Sequence, residues 1–514
     1  MWDAASSIRG ALDAPKFKDY ILSLIFAKRL SNVFDDPYKA ILQYGGLVLE
    51  LSGARNMIFD GFELRHVGPG ATPLVVYASR KNADWTEDIV FRNNLFHDSY
   101  NDDLLKLHNG ARFITVEGNV FYNQGASEQH MDVNSVTDIT IQDNIFFNDF
   151  AGSGRINAND TKAFIVIKDS NENADGLEGS ERITARRNIF LNWEGGEETF
   201  VQIGNDGKLY HEAEDVRVEN NLMIGNSLDP LFAAFGVRGA RNVTFANNTV
   251  VGDLPASGYA LWVSILLPNP LNENIFFYNN IWSDPTGTMN KFSRGDPTST
   301  ITLTLDNNLY WNGSAAIPSG NVVSPLVHDA RRTVADPLLH TDQAALILPR
   351  WNGSAFLSGS TTIRQEFERL ANLYAAIPSA SQAIGRADPA FASSDDLLGR
   401  QRSATPDLGA FEYRPALAGS SDLTTIWLNW SEPREPNANS LAITYTTSAT
   451  STLVTGLPIA TRAYILTGLS PYTFYTVTLT ARSSGNAILA QSNSLRVLTT
   501  DKHVFLPLVS KKAP

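Results

Sequence analysis

Apolar and polar residues alternate in short runs between residues 57 and 310, and each run closes on a polar corner followed by two mostly apolar residues. One eight-residue phrase carries the pattern: IVFRNNLF (89–96), ITVEGNVF (114–121), ITIQDNIF (139–146), ITARRNIF (183–190), VRVENNLM (216–223), VTFANNTV (243–250), IFFYNNIW (275–282) and LTLDNNLY (303–310), with MIFDGFEL (57–64) as a degenerate first copy. The eight full copies share an Asn at 94, 119, 144, 188, 221, 248, 280 and 308. Within a copy, Ile114 and Val116 alternate with Thr115 and Glu117, the signature of a half-buried strand. Successive Asn residues lie 25 and 25 residues apart and then 27 to 44. That period predicts a solenoid, because one coil of short strands and tight corners cannot bury its own inner face and needs its neighbours stacked on it. Stacked Asn side chains are expected to hydrogen-bond along the stack. The predicted fold is all-β, a right-handed parallel β-helix; a leucine-rich repeat would need a Leu-rich frame and helical halves that are missing.

The pattern changes at both ends. Residues 1–36 place Ala, Leu and Ile at helical spacing with a break at Pro15, which predicts a short N-terminal helical segment. Through Trp2, Asp3, Ala4, Arg9, Gly10, Tyr20, Ile21, Leu22, Phe26 and Arg29 it resembles the opening of the helical domain of type I restriction-modification DNA methyltransferase subunits. No Gly-rich cofactor loop and no Asn-Pro-Pro-Tyr/Phe motif follows, so the resemblance implies a fusion or misassembled frame in place of a leader and first coils. The same helices would also cap the open end of the solenoid.

Residues 318–395 are rich in Pro, Ser and Ala with one helical stretch at 364–375, and read as irregular closing coils. DLLGRQRSATPDLGAFEY (396–413) resembles the closing signature of many secreted parallel β-helix proteins through Asp396, Gly399, Arg402, Asp407, Gly409, Ala410 and Glu412. The β-helix is therefore expected over 40–414. After Pro415, short β runs with Trp430 early and LTGLSPYTFYTVTL (466–479) late resemble a fibronectin type III sandwich over 415–500. Trp430 would be its core tryptophan, with Leu469, Pro471 and Tyr475 at its corner. The tail, 501–514, is a short apolar run with a basic end.

Composition narrows the function classes. The chain has 514 residues, 43% of them hydrophobic, enough for a long core and an appended domain. No Cys is present, which removes disulfides and thiolate metal sites. A net charge of −13 argues against nucleic acid as partner, since a polyanion needs a basic footprint. It also means that an acidic polysaccharide must meet local cations or a bound metal. No run of eighteen apolar residues is present, so no membrane span is expected. Lys16, Lys18, Asp19, Lys28 and Arg29 interrupt the first apolar stretch, so the N-terminus does not read as a secretory signal.

Candidate chemistry lies on the strands that precede the repeat phrase: LLKLHN (104–109), HMDVNS (130–135), FIVIKD (164–169) and FVQIGN (200–205). Residues 105, 107, 131, 133, 165, 167, 201 and 203 take one parity and are expected to point inward. The other parity stacks Lys106, Asp132, Val166 and Gln202 in one column and His108, Asn134, Lys168 and Gly204 in the next, with His130 beside Leu104. The chain's longest insertions flank this patch, and Arg155 lies in one of them. Asp102 and Asp103 enter the Lys106 strand as hard oxygen donors suited to Ca²⁺, with Asp132 or Asp98 as a further ligand, although such a pair equally marks a turn. Glu194, Glu197 and Glu198 read as loop solubility.

An Asp-Asp pair, a Lys on the following outward strand and an acidic residue one coil on resemble the pectate lyase superfamily. That resemblance implies a polysaccharide lyase, located outside the cell or on its surface and acting as a monomer on a uronic-acid-containing polymer. Ca²⁺ on Asp102, Asp103 and Asp132 would neutralise the uronate, and a base would take the C5 proton before the bond at C4 breaks. Lys106, with its pKa lowered, is the first base; His108 and His130 are the next, and Asp132 completes the catalytic set. Asn134, Arg155, Lys168 and Gln202 would bind substrate. The catalytic Arg motif of pectate lyases has no counterpart here. Two alternatives stand beside it: a glycoside hydrolase using Asp103 and Asp132, and a non-catalytic binder with Tyr100, Tyr122 and Trp193 as an exposed platform.

Overall fold

The corner of each phrase turns on one residue. The position before the shared Asn has positive φ in every copy: Asn93 (55°), Gly118 (63°), Asp143 (59°), Arg187 (50°), Asn220 (55°), Asn247 (53°), Asn279 (58°) and Asn307 (59°). Asn, Asp and Gly tolerate the left-handed region best, which is why the corner is written in them; Arg187 is the exception. A computed structural model describes residues 40–500 apart from 127, 173, 227, 228, 344 and 431–436, and apart from the side chain of Ala40. The readings of residues 1–36 and 501–514 lie outside the described residues.

Three parallel sheets run the length of a right-handed β-helix. The first has eleven strands and the second and third nine each. The first half of every phrase belongs to the third sheet and the second half to the first, so Arg112–Glu117 turns at Asn119 into Val120–Tyr122. At the turn the eight Asn side chains form a buried ladder. Asn94 Nδ2 donates to Asn119 Oδ1 at 3.0 Å, Asn119 to Asn144 at 3.0 Å, and the series continues to Asn308, which ends on Asp329 Oδ2 at 2.9 Å. Each ladder amide also donates to a carbonyl of the preceding coil, as Asn119 does to Phe91 at 2.9 Å. These amides are buried and paired, the condition under which a polar core stabilises. Inside, Phe96, Phe121, Phe146 and Phe190 stack at centroid separations of 4.6 to 5.0 Å.

Residues 318–395 were expected to form irregular closing coils and 396–413 to finish the last one. Instead the chain turns back and runs along the outside of the first sheet. Leu95, Ile145, Phe147, Leu222 and Ile281 on that outer face pack against Phe367, Leu370 and Tyr374 of the helix Ile363–Tyr374 and against Leu397, Leu408 and Phe411, making a second core. The helix opens on a capping box between Thr362 and Gln365. Polar ties reach several coils: Arg350 to Asp149 at 2.7 Å, Arg187 to Asp395 at 2.7 Å, and Arg402 to Asn220 Oδ1 at 2.8 Å. Arg186 also pairs with Asp395. Gly409 has φ 81°, donates its N–H to Asn279 O at 2.8 Å, and has Thr249 Oγ1 only 2.6 Å from where a Cβ would stand, so only glycine fits.

Beyond residue 415 two antiparallel sheets, one of three strands and one of five, enclose Trp430, Leu441, Ile443, Tyr475 and Val477. Tyr475 Oη accepts the Ser470 N–H at 2.9 Å and Trp430 Nε1 donates to Thr461 O at 2.9 Å. Among the described residues α-helix is confined to Pro325–His328 and Ile363–Tyr374, and no helix is long and apolar enough to cross a membrane.

Candidate functional site

The second sheet carries the candidate patch in the expected register. Lys106 pairs with Asp132 and Asp132 with Val166, while His108 pairs with Asn134 and Asn134 with Lys168. Val166 pairs with Gln202. Leu105, Leu107, Met131, Val133, Ile165 and Ile167 all point into the core. Alternation over parallel strands 4.8 Å apart thus sets Lys106, His108 and Asp132 on one outward patch.

Lys106 is held between two buried carboxylates. Its Nζ lies 2.6 Å from Asp132 Oδ2 and 3.7 Å from Asp103 Oδ2. Burial draws its pKa down, but Asp132 and Asp103 outweigh burial and the net shift is upward. The expected neutral Lys106 base is therefore corrected to a fixed ammonium. Asp103 is fully buried; burial first, then Asp132, pushes its carboxyl well above the usual range. Its Oδ1 accepts the Gln129 N–H at 2.9 Å, while Oδ2 has no hydrogen-bond partner. Asp132 Oδ1 is likewise buried without one. Asp102 is half-exposed and accepts the Asp103 N–H at 2.8 Å, so the pair also makes the turn.

His108 contrasts with Lys106. Burial, then the Lys106 charge, lowers its pKa, so the imidazole is neutral at pH 7. Nδ1 shares a hydrogen bond of 3.0 Å with the Tyr77 hydroxyl, which sits one coil earlier in the Lys106 column.

Several expected site residues do other work. His130 turns into the core, stacks on Phe164 at 4.4 Å, and takes a 3.0 Å contact from Nε2 to Asn148 Oδ1. Burial pushes it down to about 3, and substrate has no path to it. Asn134 is buried and pins the insertion at Ser170, accepting its N–H at 2.9 Å. Gln202 is buried and donates to Gly204 O at 2.8 Å. Arg155 is a strut, donating to Ser99 O and Asn123 O at 2.8 Å each and lying over Tyr100 at 4.4 Å. Lys168 faces outward but pairs with Asp206 at 3.2 Å. Asp98 is taken up by His97, Asn123 and Arg155. Tyr122 and Trp193 are buried and Tyr100 is covered by Arg155, so the exposed aromatic platform is corrected. Glu198 is buried with its pKa raised by that burial, and Glu194 accepts the Phe150 N–H at 2.9 Å, so neither serves loop solubility.

Two residues escaped the sequence reading. Tyr77 was within reach, since PLVVYAS (73–79) continues the strand alternation one coil earlier. Glu128 lies in an irregular corner that no periodicity marks. One oxygen each from Asp102, Asp103 and Glu128 lie within 4.8 Å of one another. Burial, then Asp102, pushes Glu128 up to about 7. The clustered carboxylates thus include Glu128 and not the expected Asp132, which lies 2.6 Å from Lys106.

The HsdM N-terminal domain family model matches residues 1–195, a span that includes the 1–36 segment and continues into the coils. No curated protein matches the chain. Similar solved structures include PfbA, a surface adhesin of Streptococcus pneumoniae, at 15% identity and TM-score 0.35, covering 47% of this chain and 59% of that one. A second structure of that adhesin matches at 14% identity and TM-score 0.35, covering 54% and 64%. The FN5 domain of Drosophila Lar matches at 18% identity and TM-score 0.15, covering 17% of this chain and 95% of the domain. The chain spans less than two thirds of the adhesin structures.

Proposed function

We propose that the outward face of the second sheet cleaves a uronic-acid-containing polysaccharide by β-elimination. The observation that carries this reading is that one short strand holds both Lys106, whose Nζ lies 2.6 Å from Asp132, and His108, whose Nδ1 lies 3.0 Å from the Tyr77 hydroxyl; the carboxylates raise the Lys106 pKa and burial lowers that of His108. Elimination needs both: positive charge near the uronate carboxylate, and a base that is free at neutral pH. With His108 Nδ1–H donated to Tyr77, Nε2 holds the lone pair that takes the C5 proton. The C4–O bond then breaks as the C4–C5 double bond forms, and the Tyr77 O–H protonates the departing oxygen.

The acidic group fits a hard cation. Asp103 and Asp132 pair with the Lys106 ammonium, Asp102 and Glu128 cluster with Asp103, and the buried Asp103 Oδ2 has no hydrogen-bond partner. Asp102, Asp103 and Glu128 would hold Ca²⁺, which would supply the positive charge that draws the uronate carboxylate to the patch. A substrate of this kind is met outside the cell. The two antiparallel sheets after residue 415 are read as a fibronectin type III-like spacer.

Hydrolysis is the second reading, favoured by Glu128: half-exposed and pushed up to about 7, it is a carboxyl suited to general acid catalysis. Mass spectrometry of the products separates the two. Elimination cleaves without adding water and leaves one unsaturated end; products that have each gained water would replace the lyase reading with the hydrolase one.

A further inference from the structure

Four coils beyond Asp132, the same outward column reaches a group of aromatic and cationic side chains. Register connects Lys106, Asp132, Val166, Gln202, Gly236, Trp262 and Arg294 in turn. At the spacing of parallel strands, Trp262 lies roughly 19 Å along the solenoid from Asp132. Between the two ends the floor is low. Gln202 is buried, and Gly236 has no side chain; a Cβ there would stand 1.9 Å from Gln202 Oε1.

At the far end two guanidiniums are stacked on rings. Arg238 lies over Trp262 at 4.7 Å and Arg294 over Phe232 at 4.1 Å, while Phe232 and Trp262 touch at 4.4 Å. Neither arginine takes part in an ion pair among the described residues. Arg238 donates one N–H to Asn205 Oδ1 at 2.8 Å, and its Nε is buried without a partner. Arg294 donates to Ser257 Oγ at 2.6 Å. Stacking fixes each planar fork and leaves in-plane N–H groups for an anion. Glu198, Glu212 and Asp206 act on the Arg238 charge without reaching ion-pair distance, so both guanidinium forks keep N–H donors for a further anion.

We infer that Arg238, Arg294 and Trp262 form a second subsite, which binds the carboxylate or sulfate of an anionic sugar in a chain laid along the solenoid axis over the Val166–Gln202–Gly236 floor. The subsite rests on the reading of this face as polysaccharide-binding, and it sets a minimum length: a chain must span both ends to use both. A planar guanidinium fork suits bidentate recognition of carboxylate or sulfate, and the Trp262 indole, with Arg238 at 4.7 Å and Arg294 at 5.6 Å from its ring, holds the two forks in place.

Affinity electrophoresis of the full chain through gels containing polygalacturonate, alginate, dextran sulfate, single-stranded DNA or dextran tests it. The protein is expected to be retarded by at least one anionic polysaccharide and not by dextran, and the uronate polymers against dextran sulfate separate carboxylate from sulfate recognition. Arg238→Ala/Arg294→Ala should weaken retardation about tenfold or more, with Trp262→Ala losing part and Arg294→Lys recovering part. Thermal melting of each variant separates lost binding from lost fold, and the Lys variant keeps the test valid if an Ala variant fails to fold. No retardation by any anionic polymer, retention on single-stranded DNA alone, or full retardation of the folded double variant would overturn the subsite. Retardation that depends on the arginines without any cleavage would uphold the subsite and remove the lyase reading. Cleavage that ignores the arginines would do the reverse.

Discussion

Ile145, Phe146 and Phe147 on the first sheet are all buried, whereas on the second sheet Leu105 and Leu107 are buried and Lys106 and His108 face out. These are strands of one solenoid, joined in successive coils by the segments 98–104, 123–130 and 148–164. The first sheet is apolar on both sides because the returning chain covers its outer face, as parallel sheets are covered elsewhere by helices. Among the described residues the returning chain leaves the second uncovered, and its outer face holds charge. The fastening of this returning strap and the proposed chemistry thereby lie on different faces: what fastens the strap does not touch His108, and what tunes His108 does not hold the strap. The ladder Asn residues fix a different corner, the one between the third sheet and the first.

Variants on one face should leave the other alone. The largest expected effect is on the open face: His108→Ala should lower product formation about 10²- to 10⁴-fold with an unchanged melting temperature, because the residue supplies proton transfer and little packing. The rate of the unmodified protein should fall as pH drops through the His108 pKa, which lies below its ordinary 6.5, since the base must be neutral. On the covered face, Arg402→Ala should cost about 3–5 kcal/mol of stability by chemical denaturation. It leaves the buried Glu412 carboxylate, 2.9 Å away, unpaired, along with Asn220 Oδ1. Product formation per folded molecule should not change.

His130 joins the two faces through the core, and its expected effect is smaller. Its folded pKa of about 3 lies below the unfolded 6.5, so its share of stability is complete above 6.5 and is lost as pH falls toward 3. Between pH 6 and 4.5 this removes about 2 kcal/mol. His130→Phe, which can keep the stack on Phe164, should flatten that slope in pH-resolved melts. The smallest effect is expected for Arg182→Ala on the third sheet. Its ion pair with Asp138 is solvent-exposed, and less than about 0.5 kcal/mol should be lost.

The fold was legible because its rules are local. Alternation gave the strands, the shared Asn gave the corner, and strand alignment gave the register of Lys106 with Asp132 and His108 with Asn134. The strap was not legible, since the two apolar residues after each Asn read the same whether the outer one meets solvent or a returning chain. The site was legible in position and not in state. Parity places Lys106 outward but does not say that two carboxylates hold it charged. His130 keeps the outward parity in sequence, yet the strand begins one residue later, at Met131, and the corner turns its ring inward. Arg155, Asn134 and Gln202 have residue types suited to sugar binding, and each is already satisfied by the backbone or by a neighbouring loop.

Ultraviolet absorbance of the unsaturated uronide, followed during incubation with pectins, alginate and glycosaminoglycans, reads elimination by the second sheet itself. Absorbance should rise on at least one polymer, stop on chelation, and be lost in the His108→Ala protein. A flat trace on every polymer, or a rise that the His108→Ala protein keeps in full, would contradict it.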